Sequence, residues 1–192
     1  MQAARGRRQP LQGLSAIRPA GGPPELLLLR HPALAHTRRV TEADWDLVAA
    51  LHAQCSEQNL LRRWGRTRIT PRDLSRLLTH AECWIELGAD EGPVALVCAG
   101  SVTREPGVVD LGLQVVDHRQ RQGIGTALAR QAALLARARG AHTLSAFTQA
   151  SNAPMLRLLD RLGPTSHTRD GPYVEVRVAL DALAPDPETA PS

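Results

Sequence analysis

The sequence predicts an α/β fold in which the strands of one sheet are connected through helices. The main indication is a strand–helix–strand pattern: an apolar strand at Val108–Val116, a turn with two glycines, an alanine-rich amphipathic helix from Gly125 to Arg139, and a strand at Thr143–Phe147. A crossover of this length joins two parallel strands of one sheet. The second indication is a pair of upstream apolar strands, Cys83–Leu87 and Pro93–Val102, separated by a short Asp-Glu-Gly turn.

Two helices are predicted before these strands. Thr41 caps the first helix, which runs to about Cys55. Thr70 caps the second, and Pro71 occupies its first helical position, where a proline is tolerated. The Ser56–Arg68 segment between the two helices is predicted to be a loop.

One more helix and two strands are predicted after the crossover. The helix opens at Asn152 and ends at Gly163, because asparagine is a good helix cap and glycine commonly ends a helix. The strands Thr165–Arg169 and Tyr173–Leu180 are separated by an Asp-Gly-Pro turn.

The crossover turn, Gln120-Arg121-Gln122-Gly123-Ile124-Gly125, directs several consecutive backbone N–H groups toward one point at the positive end of a helix dipole. Such a turn binds a phosphate or a pyrophosphate. A dinucleotide site would have a third glycine where Leu128 stands, and a Walker P-loop needs a lysine, which the chain lacks. Coenzyme A is the remaining cofactor class, and an ordinary strand-to-helix turn is the alternative.

Two motifs carry a resemblance to the GNAT N-acetyltransferase family. Gln120-x-x-Gly123-x-Gly125 resembles its pyrophosphate-binding signature, and the helix opened by Asn152 resembles its second signature. The resemblance covers about residues 34–183, and we expect a single domain over residues 25–183. It implies an α/β (α+β) fold with a mixed, mostly antiparallel sheet of six to seven strands and about four flanking helices. Strands 4 and 5 would be splayed apart by a bulge in strand 4.

The resemblance also implies a site for acetyl-CoA as cosubstrate, without a metal. The strand before the turn would lie along the pantetheine arm, the turn would surround the pyrophosphate, and the asparagine would reach the pantetheine or a water bound to it. The expected cofactor-binding residues are therefore Val115, Val116, Gln120, Arg121, Gln122, Gly123, Ile124, Gly125, Thr126 and Asn152.

The catalytic groups of the family are matched less closely. Many members have a glutamate on the fourth strand as general base, and the matching residue is Asp110, which we expect to act through a water because it is one methylene shorter. A solvated carboxylate is the alternative interpretation. Glu86, on a neighbouring strand, is the second candidate. The tyrosine general acid of many members is replaced by Leu159, and the one tyrosine, Tyr173, lies on a late strand. No acid is assigned.

A further resemblance concerns the segment from Ser56 to Trp64, Ser-Glu-Gln-Asn-Leu-Leu-Arg-Arg-Trp. It is similar to a stretch in the GNAT modules of Pat-type protein acetyltransferases, which usually have phenylalanine where Trp64 stands. Those modules also carry the Asn-x-x-Met sequence found here from Asn152 to Met155. The alternative is that the two arginines of the segment simply solvate the end of a helix.

The net charge of +4 originates near the amino terminus. Of the 23 basic residues, all arginine, Arg5, Arg7, Arg8 and Arg18 precede the first acid, Glu25, and the other 19 equal the 19 acidic residues in number. A neutral domain with few aromatics does not favour nucleic-acid binding. We expect residues 1–24, rich in Gly, Pro, Arg and Gln, to be a disordered basic leader, and residues 184–192 a disordered tail.

The cysteines and the hydropathy pattern indicate a cytoplasmic protein. Cys55, Cys83 and Cys98 are odd in number and lack the spacing of zinc ligands, as expected for unpaired thiols in a reducing compartment. No apolar run approaches the ~20 residues of a membrane span, so no membrane partner is expected.

The sequence thus leads to one main hypothesis and one alternative. The main hypothesis is an acetyl-CoA-dependent N-acetyltransferase that moves an acetyl group to a primary amine of a small molecule or to a protein lysine. The alternative is a catalytically silent GNAT domain that binds acyl-CoA as a sensor or a partner-interaction module. No motif indicates the acceptor, the acyl chain or the oligomeric state.

Overall fold

The computed structural model describes residues 14–15, 31–102 and 104–184. Within these residues, eight strands form one sheet. Seven of them are β1 (Thr37–Arg39), β2 (Glu82–Leu87), β3 (Pro93–Val102), β4 (Val108–Val115), β5 (Thr143–Gln149), β6 (Thr165–Asp170) and β7 (Tyr173–Ala179). They follow the order β1-β2-β3-β4-β5-β7-β6, and the two-residue strand Leu14–Ser15 pairs with β3 beside this path. Each strand predicted from the sequence is present, with its ends shifted by two residues at most.

Five α-helices flank the sheet within the described residues. They are α1 (Trp45–Ala53), α2 (Glu57–Trp64), α3 (Pro71–His80), α4 (Ile124–Ala138) and α5 (Ala153–Leu162). The prediction of a loop at Ser56–Arg68 is wrong, because α2 lies within it. The Ser56 hydroxyl accepts a hydrogen bond from the Asn59 N–H at 3.2 Å, and Gly65 ends the helix in the left-handed conformation.

The predicted mixed sheet with a splay between strands 4 and 5 is confirmed. Neighbouring strands are antiparallel except β4 and β5, which run parallel. These two strands pair only from Val108–Thr143 to Asp110–Ser145, so the rest of β4 diverges from β5. The expected bulge in β4 is not found, since its register with β3 is continuous from Val109 to Val115. The gap therefore results from β5 diverging from β4, and the pairing of β4 with β3 stays regular.

The sheet separates two apolar clusters. Along β3, Ala95, Val97 and Ala99 pack with α4 and α5 on one face, while the alternate residues Leu96 and Cys98 pack with α1, α2 and α3 on the other. This alternation follows from the two-residue period of a strand. The two layers of helices hold the sheet, and hence the gap between β4 and β5, from both sides.

Both expected terminal segments have described residues that make backbone contacts. Leu14–Ser15 pairs antiparallel with Ser101 and Val102 at the end of β3. Because β2 stops opposite Ala99, it leaves that edge of β3 free, and Leu14–Ser15 pairs there instead. The Ala184 N–H donates to the Leu162 carbonyl at 2.8 Å. The rest of the expected leader and tail lies outside the described residues.

Glu86 ties the chain that precedes β1 to the sheet. Its carboxylate, only 3% exposed, accepts hydrogen bonds from the Ala35 N–H at 2.8 Å and the His36 N–H at 3.1 Å, and from the Thr37 hydroxyl. Both oxygens are thus engaged in holding β1. Glu86 therefore has a structural part, whereas the sequence suggested it as a second catalytic candidate.

Replacing Glu86 by alanine is expected to destabilise the protein by about 3 kcal/mol, since it leaves two N–H donors without their acceptor in a partly buried site. The free energy of unfolding from urea titration measures the effect. The matched control is Glu57→Ala, which removes a carboxylate from the exposed first turn of α2 and should cost less than about 1 kcal/mol. Equal effects of the two changes would contradict the anchoring part of Glu86.

Candidate functional site

The gap beside β4 exposes unpaired backbone groups. The Val116 N–H donates to the Val94 carbonyl of β3 at 3.0 Å, so residue 116 belongs to a hydrogen-bonded pair of the antiparallel ladder. Because such pairs alternate along the ladder, Leu111, Leu113 and Val115 direct their own N–H and C=O groups away from β3. The Leu111 carbonyl, both groups of Leu113 and the Val115 N–H face the gap, whereas the Leu111 N–H belongs to the pairing with β5 and the Val115 carbonyl accepts from the Asn59 and Gln120 side chains. An extended ligand lying there would hydrogen-bond to β4 as a strand does.

A cavity of about 550 Å³ occupies this gap and continues to the amino terminus of α4. It is bounded by β4, β5, α2, α5 and the turn before α4. The lining residues are Asn59, Arg62, Arg63, Leu111, Leu113, Val115, Arg119, Gln120, Arg121, Gly123, Gly125, Thr126, Phe147, Thr148, Asn152, Pro154, Met155, Arg157, Leu158 and Arg161.

The amino terminus of α4 forms one end of the cavity. Gly123 caps the helix in the left-handed conformation, with φ of 81°, and has no side chain that could accept a hydrogen bond from its first turn. Arg121 also has a positive φ, of 62°. The first-turn N–H groups have no acceptor within the helix, and the dipole adds a partial positive charge at the same point. This end therefore suits a phosphate group.

Most residues expected to bind the cofactor line the cavity. Those that do are Val115, Gln120, Arg121, Gly123, Gly125, Thr126 and Asn152. Asn152 is buried, and its amide nitrogen donates to the Thr148 hydroxyl at 2.9 Å. Gln120 donates its side-chain N–H to the Val115 carbonyl at 3.1 Å, which connects the turn to the end of β4.

Three expected residues direct their side chains elsewhere. Val116 is fully buried with α1 and α3 on the far face of the sheet, and its N–H is used by β3. Ile124 is 2% exposed and packs in the core beneath α4. The exposed Gln122 bonds back to Arg119 and to the His118 carbonyl. The alternation of β4 places Leu111 and Leu113, rather than Val116, on the gap.

Helix α2 is fixed to the site through Asn59 and Ser56. The Asn59 amide donates to the Val115 carbonyl at 2.8 Å and to Asp117 at 3.1 Å, and its oxygen accepts from Gln114 at 2.7 Å. The Ser56 N–H and hydroxyl both donate to the Asp117 carboxylate, at 2.8 and 2.7 Å. These bonds join α2 to the end of β4 and to the turn after it. Sequence reasoning missed Asn59, although the segment that carries it was noticed.

The lining is strongly cationic. Six of the lining residues are arginines, Arg62, Arg63, Arg119, Arg121, Arg157 and Arg161, and none is Asp or Glu. A cavity walled by one sign of charge concentrates ligands of the opposite sign. Together with the α4 terminus, it suits an elongated polyanionic ligand.

Asp110 lies beyond the closed end of the gap and is not a lining residue. It is half-buried on β4, where it pairs with Gly100 of β3 and Ser145 of β5. Loss of hydration raises the pKa of its carboxyl to about 7, the Arg63 cation acts in the opposite direction, and Glu175 adds to the rise. A carboxyl with a pKa near neutrality is suited to accept a proton at physiological pH.

Arg63 lies directly on the β4 backbone. A Cβ atom at Gly112 would be 1.8 Å from the Arg63 Nη2 atom and 2.4 Å from Cζ, so the guanidinium occupies the space of a side chain. Nη2 is buried and has no hydrogen-bond partner among the described residues. The guanidinium also lies 5.1 Å from the centroid of the neighbouring Trp64 ring.

The position at which the resemblance implies a tyrosine general acid holds a leucine. Leu159, at the matching position on α5, is fully buried in the core. Tyr173 stacks on Phe147 with ring centroids 5.2 Å apart, on the strands next to the cavity. It is not a lining residue itself.

None of the helices in the described part of the chain is both long and apolar enough to cross a membrane. Within residues 14–15, 31–102 and 104–184, no group of three or more His, Cys, Asp or Glu side chains is arranged to hold a metal ion.

The family comparison identifies residues 45–163 as matching the model of the acetyltransferase (GNAT) family. No curated protein sequence gives a significant match.

Several solved structures share the fold. The GNAT domain of S. lividans PAT is 19% identical with a TM-score of 0.67, covering 74% of this chain and 89% of that one. A ribosomal-protein-alanine N-acetyltransferase from Brucella melitensis is 18% identical with a TM-score of 0.60, covering 76% and 99%. Spermidine N-acetyltransferase from Vibrio cholerae, in complex with CoA and spermine, is 10% identical with a TM-score of 0.61, covering 79% and 98%. At these identities the similarity establishes the fold.

Proposed function

Because the chain belongs to the GNAT family of acetyltransferases, we propose that it transfers an acetyl group from acetyl-CoA to a primary amine of a small molecule or to a protein lysine. The observation that supports this most directly is the continuous cavity from the α4 amino terminus to the gap between β4 and β5. One end suits phosphates and the other offers free strand-like backbone groups. Acetyl-CoA has both features, since a pyrophosphate is followed by an arm with two amides.

The proposed binding mode assigns a part to each wall of the cavity. The first-turn N–H groups of α4 hold the pyrophosphate, with Gly123 and Gly125 allowing close approach of the backbone. The Leu111 carbonyl, the Leu113 N–H and C=O and the Val115 N–H bond to the pantetheine amides, and Asn152 faces the same arm. The arginines of the lining neutralise the phosphate charges. The acyl group is then directed to the closed end of the gap.

The proposed chemistry requires a base, because a free amine is mostly protonated at neutral pH, with a pKa of ~10.4. Asp110 lies just past the closed end and has a pKa of about 7. It takes the amine proton through a water, since it does not line the cavity. Asp110 passes this proton to solvent. The neutral amine nitrogen then forms a bond to the acyl carbon, the carbon–sulfur bond breaks with its electron pair on sulfur, and the second amine proton goes to Asp110 through the same water.

A second candidate function rests on the same residues. Asp110 lies outside the lining and Leu159 supplies no acid, which favours a domain that binds acyl-CoA without turning it over, as a sensor or partner-binding module. Both candidates require the cofactor to bind. They differ in whether an amine consumes it.

Isothermal titration with acetyl-CoA, free CoA and NAD tests the shared premise. Micromolar binding of acetyl-CoA and CoA without binding of NAD is the expected result. A CoA-release assay with polyamines, amino acids and lysine peptides then separates the candidates: release that depends on an amine supports the transferase, and tight binding without release supports the sensor. No binding of either CoA form would contradict both.

A further inference from the structure

The Arg63 guanidinium contacts the Trp64 ring and interacts electrostatically with Asp110, but its Nη2 atom has no hydrogen-bond acceptor among the described residues. Within the described residues it makes no ion pair, and its buried Nη2 atom donates no hydrogen bond. A buried donor without an acceptor is destabilising because it has lost its hydration without compensation, and more so when the group is charged. Such a cost is retained most readily where a bound molecule brings the missing negative charge.

Gly112 shows that this position is built into the fold. It lies inside β4, where glycine is unfavourable because it has no side chain to pack and loses the most backbone freedom. The close approach of Arg63 accounts for it, since any Cβ would overlap the guanidinium at 1.8 Å. Because residue 112 has no side chain, the strand leaves the space that the guanidinium occupies.

The guanidinium lies beside the place that the sulfur of a bound acetyl-CoA would occupy. The parallel pairing of β4 and β5 ends at Asp110, so the gap is closed there and open from Leu111 onward. Its other end reaches the α4 terminus beside Val115. An extended arm whose phosphates lie at α4 therefore ends beside Leu111 and Gly112, next to the guanidinium.

We propose that Arg63, seated on Gly112, stabilises the negative charge on the CoA sulfur as the carbon–sulfur bond breaks. This inference rests on the proposed acetyl-CoA site. The amine nitrogen forms the new bond to the acyl carbon, the sulfur leaves with the electron pair, and the amine proton goes to Asp110 through water. The thiolate then needs no proton within this step. A fixed cation in a poorly hydrated site thus replaces the general acid absent at Leu159.

Three titratable groups interact electrostatically with Arg63. His52 of α1 has its pKa lowered to about 4 by burial, and Cys83 of β2 has a pKa raised well above its usual value, chiefly through its contact with Cys98. Both are therefore neutral near pH 8. Asp110 of β4, with a pKa of about 7, is ionised there and opposes the effect of Arg63 on the sulfur. Glu175 of β7 acts on Asp110 in turn.

The test is the ultraviolet absorbance of the thiolate of bound CoA, titrated with pH, which requires no knowledge of the acceptor. The thiol of free CoA, titrated in the same way, supplies the reference pKa. We expect the thiol pKa of CoA bound to the wild type to be lower by about one unit, which is a tenfold change in proton dissociation. Arg63→Gln should raise it back to the free value, and Asp110→Asn should lower it further by removing the opposing charge.

Gly112→Ala provides a second variant, because its methyl group expels the guanidinium while the arginine remains. It should raise the thiol pKa as Arg63→Gln does. Arg72→Gln, which removes one positive charge from an exposed position on α3, is the matched control and should leave the thiol pKa unchanged.

The outcomes distinguish the part given to Arg63 from the cofactor site on which it rests. If the wild type binds CoA and the thiol has the same pKa in wild type and Arg63→Gln, the part given to Arg63 is overturned while the cofactor site stands. An equal rise in Arg72→Gln would also overturn it, since the effect would then come from net charge. If the wild type binds no CoA, the proposed function fails together with this inference.

Discussion

Gly125→Glu is expected to abolish acetyl-CoA binding. Gly125 lines the cavity in the first turn of α4, where the N–H groups are expected to hold the pyrophosphate. An added Cβ would already lie 3.3 Å from Leu113, 3.5 Å from Val115 and 3.6 Å from Leu158, so a longer side chain must project into the ligand space. Two like charges ~4 Å apart repel by about 4 kcal/mol near a protein surface, which corresponds to a loss of affinity of roughly 10³-fold.

The same change should leave the fold intact. A glutamate in the first turn of a helix interacts favourably with the dipole, and this turn has no acidic residue of its own. Ala138→Glu is the matched control, because it adds the same charge at the exposed last turn of the same helix, away from the cavity. Titration of both variants with acetyl-CoA, alongside thermal unfolding, measures the effect. Wild-type affinity in Gly125→Glu would mean that the cofactor site lies elsewhere.

The elements themselves were predictable because their signals are local. Alternating apolar residues, turn glycines and the capping boxes at Thr41 and Thr70 each act within a few residues of the chain. The parallel pairing of β4 with β5 followed from the length of the connecting helix. These same signals located the turn that forms the phosphate end of the cavity.

The register of β4 with β3, and therefore which backbone groups of β4 face the gap, was not predictable in this way. Which residues turn their backbone groups to the gap depends on the register of β4 with β3, which the hydrophobic pattern of one strand does not specify. Val116 was expected on the gap for this reason, although its N–H belongs to the ladder with β3. Leu111 and Leu113 were missed for the same reason.

Contacts between distant segments were the other missing information. Glu86 was a catalytic candidate because its strand was expected to neighbour that of Asp110, yet β3 lies between the two strands and the carboxylate is bound to the chain before β1. The seat of Arg63 did have a sequence signal, since a glycine inside a strand often marks the close approach of another group. Gly112 carried that signal, but only the fold shows what approaches it.

Asp110→Asn is expected to lower turnover by about 10²–10⁴-fold, the usual contribution of a positioned general base. For the wild type, kcat/KM should rise with pH through about 7, as the carboxyl, whose pKa is raised to about 7 by loss of hydration, gives up its proton. The asparagine variant should lose this pH dependence and keep its affinity for acetyl-CoA, because Asp110 does not line the cavity.

A loss of activity in Asp110→Asn cannot be attributed to unfolding. A carboxyl whose pKa in the folded state is raised stabilises the fold fully below its unfolded pKa of ~3.9, and this contribution is lost as pH rises through about 7. At pH 8 the wild type therefore carries an unfavourable buried charge that asparagine lacks, so the variant should be at least as stable. Asp46→Asn, on the exposed side of α1, is the matched control and should leave turnover unchanged. If Asp110→Asn also kept wild-type turnover with its acetyl-CoA affinity intact, Asp110 would have no part in the mechanism, and the amine would have to lose its proton directly to solvent.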